Sequence, residues 1–134
     1  LRGTAALKLT GSGDYTIDEE ITQTVSGGTA KGRVVSWDST NGILKYFQSP
    51  DLHTHNGKVL AFDHATNNVT GATSSTARPI DGNQDTALAD ISFTDGKANP
   101  EIAPNSGDIV YIENRRQITR AADQIEDIKL VIEF

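Results

Sequence analysis

Hydrophobic and polar positions alternate along this chain in short runs, and clusters of turn residues separate the runs. The alternation is plainest at the carboxyl end. Ile128, Leu130, Ile132 and Phe134 share one parity, and Lys129, Val131 and Glu133 share the other. That is the pattern of a half-buried strand, because successive side chains point to opposite faces of a sheet. Residues 109–114 (IVYIEN) predict a second strand, opened by the turn pair Ser106 and Gly107. About a dozen charged and polar residues separate the two runs, too many for a two-residue hairpin. The two strands are therefore expected to pair through a long connection or to share a sheet with a neighbour between them. The last run stays apolar to its final residue, so the carboxyl terminus is expected to be built into the sheet and to close the core.

The preceding chain reads in the same way. Residues 5–10 (AALKLT) predict a short strand, followed by a turn over residues 11–14. Residues 15–25 set Ile17, Glu19, Ile21 and Gln23 on one parity against a Thr-rich face and predict one strand. The acids Asp18, Glu19 and Glu20 mark its exposed or looped part, and Gly27 and Gly28 break it. Residues 33–37 (RVVSW) and 43–47 (ILKYF) flank the turn sequence DSTNG and predict a hairpin, with Asn41 and Gly42 supplying the positive φ that such turns require. Trp37, the only tryptophan, is expected in the core or packed against the hairpin. Residues 51–56 read as loop, residues 58–62 (KVLAF) as a strand, and residues 67–70 as a short strand or a turn. Residues 71–86 (GATSSTARPIDGNQDT) predict an extended surface loop. Residues 87–94 (ALADISFT) predict a strand, or one helical turn and then a strand, with a turn at Asp95 and Gly96. Two prolines in residues 98–105 exclude a central strand there.

These elements predict an all-β fold, an antiparallel sheet sandwich or a barrel-like domain with long loops and little helix. The chain has 134 residues, one domain's worth. It begins at Leu1 and contains no Met, so it reads as a fragment or processed piece of a longer chain. There are 12 Lys and Arg against 18 Asp and Glu, a net charge of −6. Such a surface argues against a nucleic-acid partner, which needs clustered cations for the phosphate backbone. The absence of Cys excludes a disulfide framework and thiolate chemistry. No apolar run approaches the length of a membrane span and no secretory signal is visible, so no membrane partner is expected.

Candidate chemistry is sparse. His53 and His55, at i and i+2, would face one way on a strand, and Asp63 or His64 could complete a metal site for a metal-dependent enzyme. The spacing matches no specific motif, and solvated loop histidines without metal are the expectation. Asp18, Glu19 and Glu20 are adjacent, so they point apart and do not form the fixed carboxylate pair of a glycosidase. Residues 81–85 (DGNQD) lack the calcium-loop pattern. No motif brings a nucleophile to a base, and no phosphate loop or dinucleotide fingerprint is present, so neither an enzyme nor a cofactor is expected. A carbohydrate- or receptor-binding module using Trp37, Tyr46 and the Thr- and Asn-rich loops is the alternative. Between the last two runs, Arg115, Arg116 and Arg120 stand against Asp123, Glu126 and Asp127, either as surface ion pairs or as a docking surface for a partner's carboxylates.

The carboxyl end carries one specific signal. Ser106 and Gly107, then Tyr111, Glu113-Asn114-Arg115, Ala121, Asp123-Gln124, Glu126, Ile128 and the terminal Phe134 keep a gapless spacing, with Pro100 and Glu101 upstream. In these residues the chain resembles the carboxyl end of the baseplate wedge proteins encoded by gene eight of T-even-type contractile-tailed bacteriophages. Arg116 and Gln117 depart from that pattern, standing where a member of the family has prolines. The resemblance covers about a quarter of the chain, and residues 1–97 carry none of it, so the Trp37 hairpin reads as a phage-specific module. The resemblance implies a non-enzymatic virion protein, a β-rich subunit that dimerises and helps to form the wedges of the tail baseplate. The implied partners are other baseplate subunits, and the implied place of assembly is the host cytoplasm. No catalytic residue carries over. Tyr111, Glu113, Asn114, Arg115, Asp123, Gln124 and Phe134 become candidates for a structural or an interface motif.

Overall fold

The structure, a computed structural model, describes residues 2–101 together with Glu113. The predicted strands at residues 109–114 and 128–134, Glu113 apart, lie outside the described residues, as does the charged segment between them. The described strands are, in chain order, β1 (Ala5–Lys8), β2 (Glu20–Val25), β3 (Gly28–Asp38), β4 (Ile43–Phe47), β5 (Thr54–His55), β6 (Lys58–Val59), β7 (Val69–Gly71), β8 (Ala77–Arg78), β9 (Ala87–Leu88), β10 (Ile91–Ser92) and β11 (Lys97–Ala98). Among the described residues there is no helix, and the fold is all-β.

Seven strands form one antiparallel sheet in the order β11-β1-β4-β3-β2-β7-β8. The sheet meets itself just beyond β1 and β8. Leu9 forms an antiparallel bridge with Ile80. On either side of it the Thr10 amide donates to the Pro79 carbonyl (3.1 Å) and the Asp81 amide to the Lys8 carbonyl (2.9 Å). The ring β1-β4-β3-β2-β7-β8 is thereby closed into a small barrel, which removes two sheet edges that would otherwise present unpaired amides and carbonyls. β11 covers the remaining stretch of the same β1 edge, with Ala98 opposite Ala6.

Both faces of β1 are in use. Leu7 and Leu9 point into the barrel with Ile21, Val34, Leu44 and Phe62. Ala6, on the opposite parity, belongs to a second apolar cluster with Ile43, Ile91, Phe93 and Ala98, where the β9–β10 hairpin lies over the outer face. The alternation of β3 is broken once. Between Val34 and Ser36 the pairing with β4 shifts by one residue, a bulge that leaves Val35 40% exposed. Val34 still faces Tyr46, and Trp37 comes to face Leu44, so both share the inner face despite their odd separation.

The hairpin of β3 and β4 forms as its sequence predicts, and its turn is held by Asp38. One Asp38 oxygen accepts from the Thr40 and Asn41 amides (3.0 and 3.2 Å) and the other from the Asn41 side chain (2.7 Å). Five other regions differ from expectation. The strand predicted over residues 15–25 begins only at Glu20, because residues 16–19 make a tight turn with Asp18 at φ +69°. Ile17 is left 66% exposed. The predicted loop over residues 51–56 contains β5, which turns through Asn56 and Gly57, both at positive φ, into β6. That strand ends at Val59, short of the predicted residue 62, and Phe62 enters the core from irregular chain. Residues 71–86, expected as an extended surface loop, supply β8 and the closing bridge. Residues 87–94 contain two strands around a turn at Ala89 and Asp90, both at positive φ, with no helical turn.

Ile80 carries the closure, so Ile80→Ala is expected to cost about 2–5 kcal/mol of stability, measured by urea denaturation. A loss below about 1 kcal/mol would mean that the ring holds without this side chain.

Candidate functional site

The chemistry of the described residues concentrates where polar side chains enter the barrel. Ile21 faces inward on β2, so Glu19 and Gln23 share its parity and are drawn in with it. Glu19 is only 4% exposed. One carboxylate oxygen accepts from the Thr16 amide (2.7 Å) and the Ser74 hydroxyl (2.8 Å), the other from the Thr73 and Ser74 amides (2.8 Å each). Burial alone would raise its pKa, but the bonds from Ser74, Thr16 and Thr73 outweigh it and hold the carboxyl below the ordinary range. Gly71 makes room for this arrangement. A Cβ there would run into the Ser74 hydroxyl and lie 2.6 Å from both Glu19 oxygens.

Gln23 does the same work for another loop. Its amide nitrogen donates to the Asp63 carbonyl (2.7 Å) and the Asn67 carbonyl (2.5 Å), and its oxygen accepts from the Asp63 amide (2.8 Å). Gln48 donates to the Lys31 and Leu60 carbonyls at 2.7 Å each and ties the chain that follows β6 to β3.

The histidines are not brought together into a ligand set. His53 is buried, not a solvated loop residue: its Nδ1 accepts from the Ser49 amide (2.8 Å) and its ring meets Phe47 edge-on at 5.5 Å. Burial lowers its pKa and favours the neutral ring. His55 lies on β5, and His64 stands 3.7 Å from Asp63. Among the described residues no three His, Asp or Glu side chains gather as a metal site would require. In residues 81–85, Asp81 accepts from the Asn83 amide (3.1 Å) and Asp85 from the Asp95 amide (2.7 Å), so both carboxylates serve turns.

The aromatic candidates are already in contact with protein. Trp37 is half-buried; Tyr15 meets its ring edge-on at 5.2 Å, the Arg78 guanidinium lies 4.7 Å from its centroid, and its Nε1 donates to Asp14 (2.9 Å). Tyr46 is buried against Phe62, its pKa pushed up to about 12 by burial. A groove of about 800 Å³ runs beside β11, lined among others by Ala5, Phe47, Phe62, Ala98 and Pro100. It lies near Glu101, whose amide donates to the Arg2 carbonyl (2.9 Å). Of the sequence motif Tyr111, Glu113, Asn114, Arg115, Asp123, Gln124 and Phe134, only Glu113 is among the described residues, and it is exposed.

A closed antiparallel barrel whose buried polar side chains clamp its own loops defines the class: an all-β barrel module. Residues 56–134 match the family model described as Phage-Gp8: Bacteriophage T4, Gp8. The match covers more than half of the chain, and the chain belongs to this family, that of the baseplate wedge protein, which makes it a baseplate structural protein of a phage tail. The match begins well before residue 106 and takes in β6 through β11. No curated protein and no solved structure matches the chain.

Two outcomes follow for Glu19. Glu19→Gln puts an amide among four donors and is expected to cost about 2–4 kcal/mol in chemical denaturation. A depressed carboxyl pKa contributes stability that is present above the unfolded-state pKa and lost as pH falls through the folded one. The wild-type melting temperature is therefore expected to fall more steeply on acidification below roughly pH 5 than that of Glu19→Gln. Parallel curves would show that Glu19 takes no part in acid unfolding. At the facing position, Gly71→Ala is expected to cost about 1–3 kcal/mol through the clash with the same carboxylate.

Proposed function

We propose that this chain is a non-enzymatic subunit or domain of the tail baseplate wedge and acts through protein–protein assembly, within a virion put together in the host cytoplasm. The observation that carries this reading is the family match over residues 56–134. On the same reading the chain is a single β-rich domain that forms a homo-oligomer, a dimer, and binds other baseplate subunits, with no nucleic acid, membrane or cofactor involved. The unit at residues 106–134 supplies the motif of Tyr111, Glu113, Asn114, Arg115, Asp123, Gln124 and Phe134, as structural support or as interface. The net charge of −6 supports protein partners over nucleic acid. A carbohydrate- or receptor-binding module has less support, since such a site needs an open aromatic face. Trp37 already has Tyr15 and Arg78 against it, and Tyr46 is buried.

Antibody against the purified chain, viewed by electron microscopy on intact phage, is expected to label the tail baseplate. Label on fibre tips, together with specific hits on a glycan array, would favour the receptor-binding alternative. Sedimentation of the purified chain is expected at twice its 14.4 kDa mass. If the motif is interfacial, Arg115→Ala should weaken that dimer about tenfold, a change of about 1.4 kcal/mol. A monomeric wild type at micromolar concentration would remove the dimer from the proposal.

A further inference from the structure

Among the described residues Arg78 is a buried cation without a counter-charge. It faces inward from β8, opposite Val69, and is 7% exposed. Its Nε is buried with no hydrogen-bond partner. No carboxylate among the described residues lies within ion-pairing distance of it; the ion pairs there are Arg33 with Asp18 and His64 with Asp63. Its guanidinium rests on the Trp37 indole. The nearby acids are committed elsewhere. Glu19 takes four hydrogen bonds from the loop at residues 16 and 73–74, and Asp14 accepts from Trp37 Nε1. An indole face compensates only part of what a guanidinium loses when it leaves water, and a buried charge ordinarily keeps an ionic partner.

Among the described residues the terminal guanidinium nitrogens make no hydrogen bond either, and the small exposed part of Arg78 leaves its guanidinium over the Trp37 ring. A fixed guanidinium fork with an aromatic wall accepts a planar anion through two parallel hydrogen bonds. Asp14 at the rim and the net charge of −6 disfavour a multiply charged phosphate and leave room for a single negative charge.

We propose that Arg78 and Trp37 form a receptor for one carboxylate, the Asp or Glu side chain of a partner protein, which pairs with the Arg78 fork at the edge of the Trp37 ring. That the partner is a protein rests on the baseplate reading; the carboxylate chemistry does not.

Trp37 is the only tryptophan, so its fluorescence reports on this site alone. The whole chain is titrated with sodium acetate and with an acetylated glutamate amide, against sodium chloride and inorganic phosphate at matched ionic strength. Both carboxylates are expected to change the emission saturably and to raise the melting temperature, with chloride and phosphate doing neither. Arg78→Met should abolish the response while melting no lower than the wild type, since it keeps the packing and removes the unpaired charge. Arg78→Lys, which keeps the charge and loses the fork, should bind at least about tenfold more weakly. No saturable response, an equal response to chloride, a preference for phosphate or a response that survives Arg78→Met would each overturn the proposal. An Arg78→Met variant that melts well below the wild type would assign Arg78 a purely structural stack and overturn it equally. If acetate binds and the virion shows no baseplate label, the carboxylate site stands and the identity of its partner falls.

Discussion

The antiparallel bridge between Leu9 and Ile80 is the constraint on which the rest of this fold depends. Without it the seven-stranded sheet would be an open ribbon, with β8 and the end of β1 beyond β11 left unpaired. With it, a small number of apolar side chains encloses a core from all sides. The same strand then serves a second purpose, because the outer parity of β1 holds the cluster of Ala6, Ile43, Ile91 and Phe93. β1 is thus paired along both edges and packed on both faces. This explains why its sequence, AALKL, is nearly continuous in small and apolar residues instead of alternating cleanly.

A barrel with short strands and long connections must hold those connections down, and here buried polar side chains do so. Glu19 fixes the turn at residues 73–74, Gln23 the turn at residues 63–67, and Gln48 the approach to Phe62. Each gives up water and regains hydrogen bonds to backbone groups that would otherwise be unsatisfied near the core. The arrangement favours one loop conformation over many. A loop held only by apolar contacts can slide, whereas a carboxylate with four donors has a single best position.

Much of this was legible in the sequence, and the exceptions share a cause. The all-β class and the hairpin around DSTNG follow from period-two patterns and turn residues, and the strand at Ala5–Lys8 falls within the apolar run predicted over residues 5–10. Glu19 and Gln23 were placed on the parity of Ile21 by the same rule, yet three consecutive acids read more naturally as a solvated face. What decides otherwise is a set of donors more than fifty residues away in sequence, at Thr73 and Ser74, which no local pattern shows. Trp37 packs against the core as its sequence context predicts, although the register that turns it inward is set by the partner strand at the Val35 bulge. β8 carries no hydrophobic signal: Ala77 and Arg78 become a strand because β7 pairs with them. The turn at Ala89 and Asp90 lacks the Asn-Gly signature that exposes such turns; Asn56 and Gly57 carry it, but the residues before them, 51–55, show no strand pattern.

The position of the closing residues in the chain has a consequence for synthesis. β1 through β4 emerge from the ribosome first and can pair with one another at once. The free edge of β2 and the second edge of β1 then wait for partners encoded near residues 70 and 80. During that interval the nascent chain carries two bare ladders beside an unfinished core, the condition under which strands of neighbouring nascent chains join. Closure depends on contacts between distant parts of the chain and is slower than hairpin formation. Closure of the barrel therefore waits on residue 80, long after the four-stranded half of the sheet has been made.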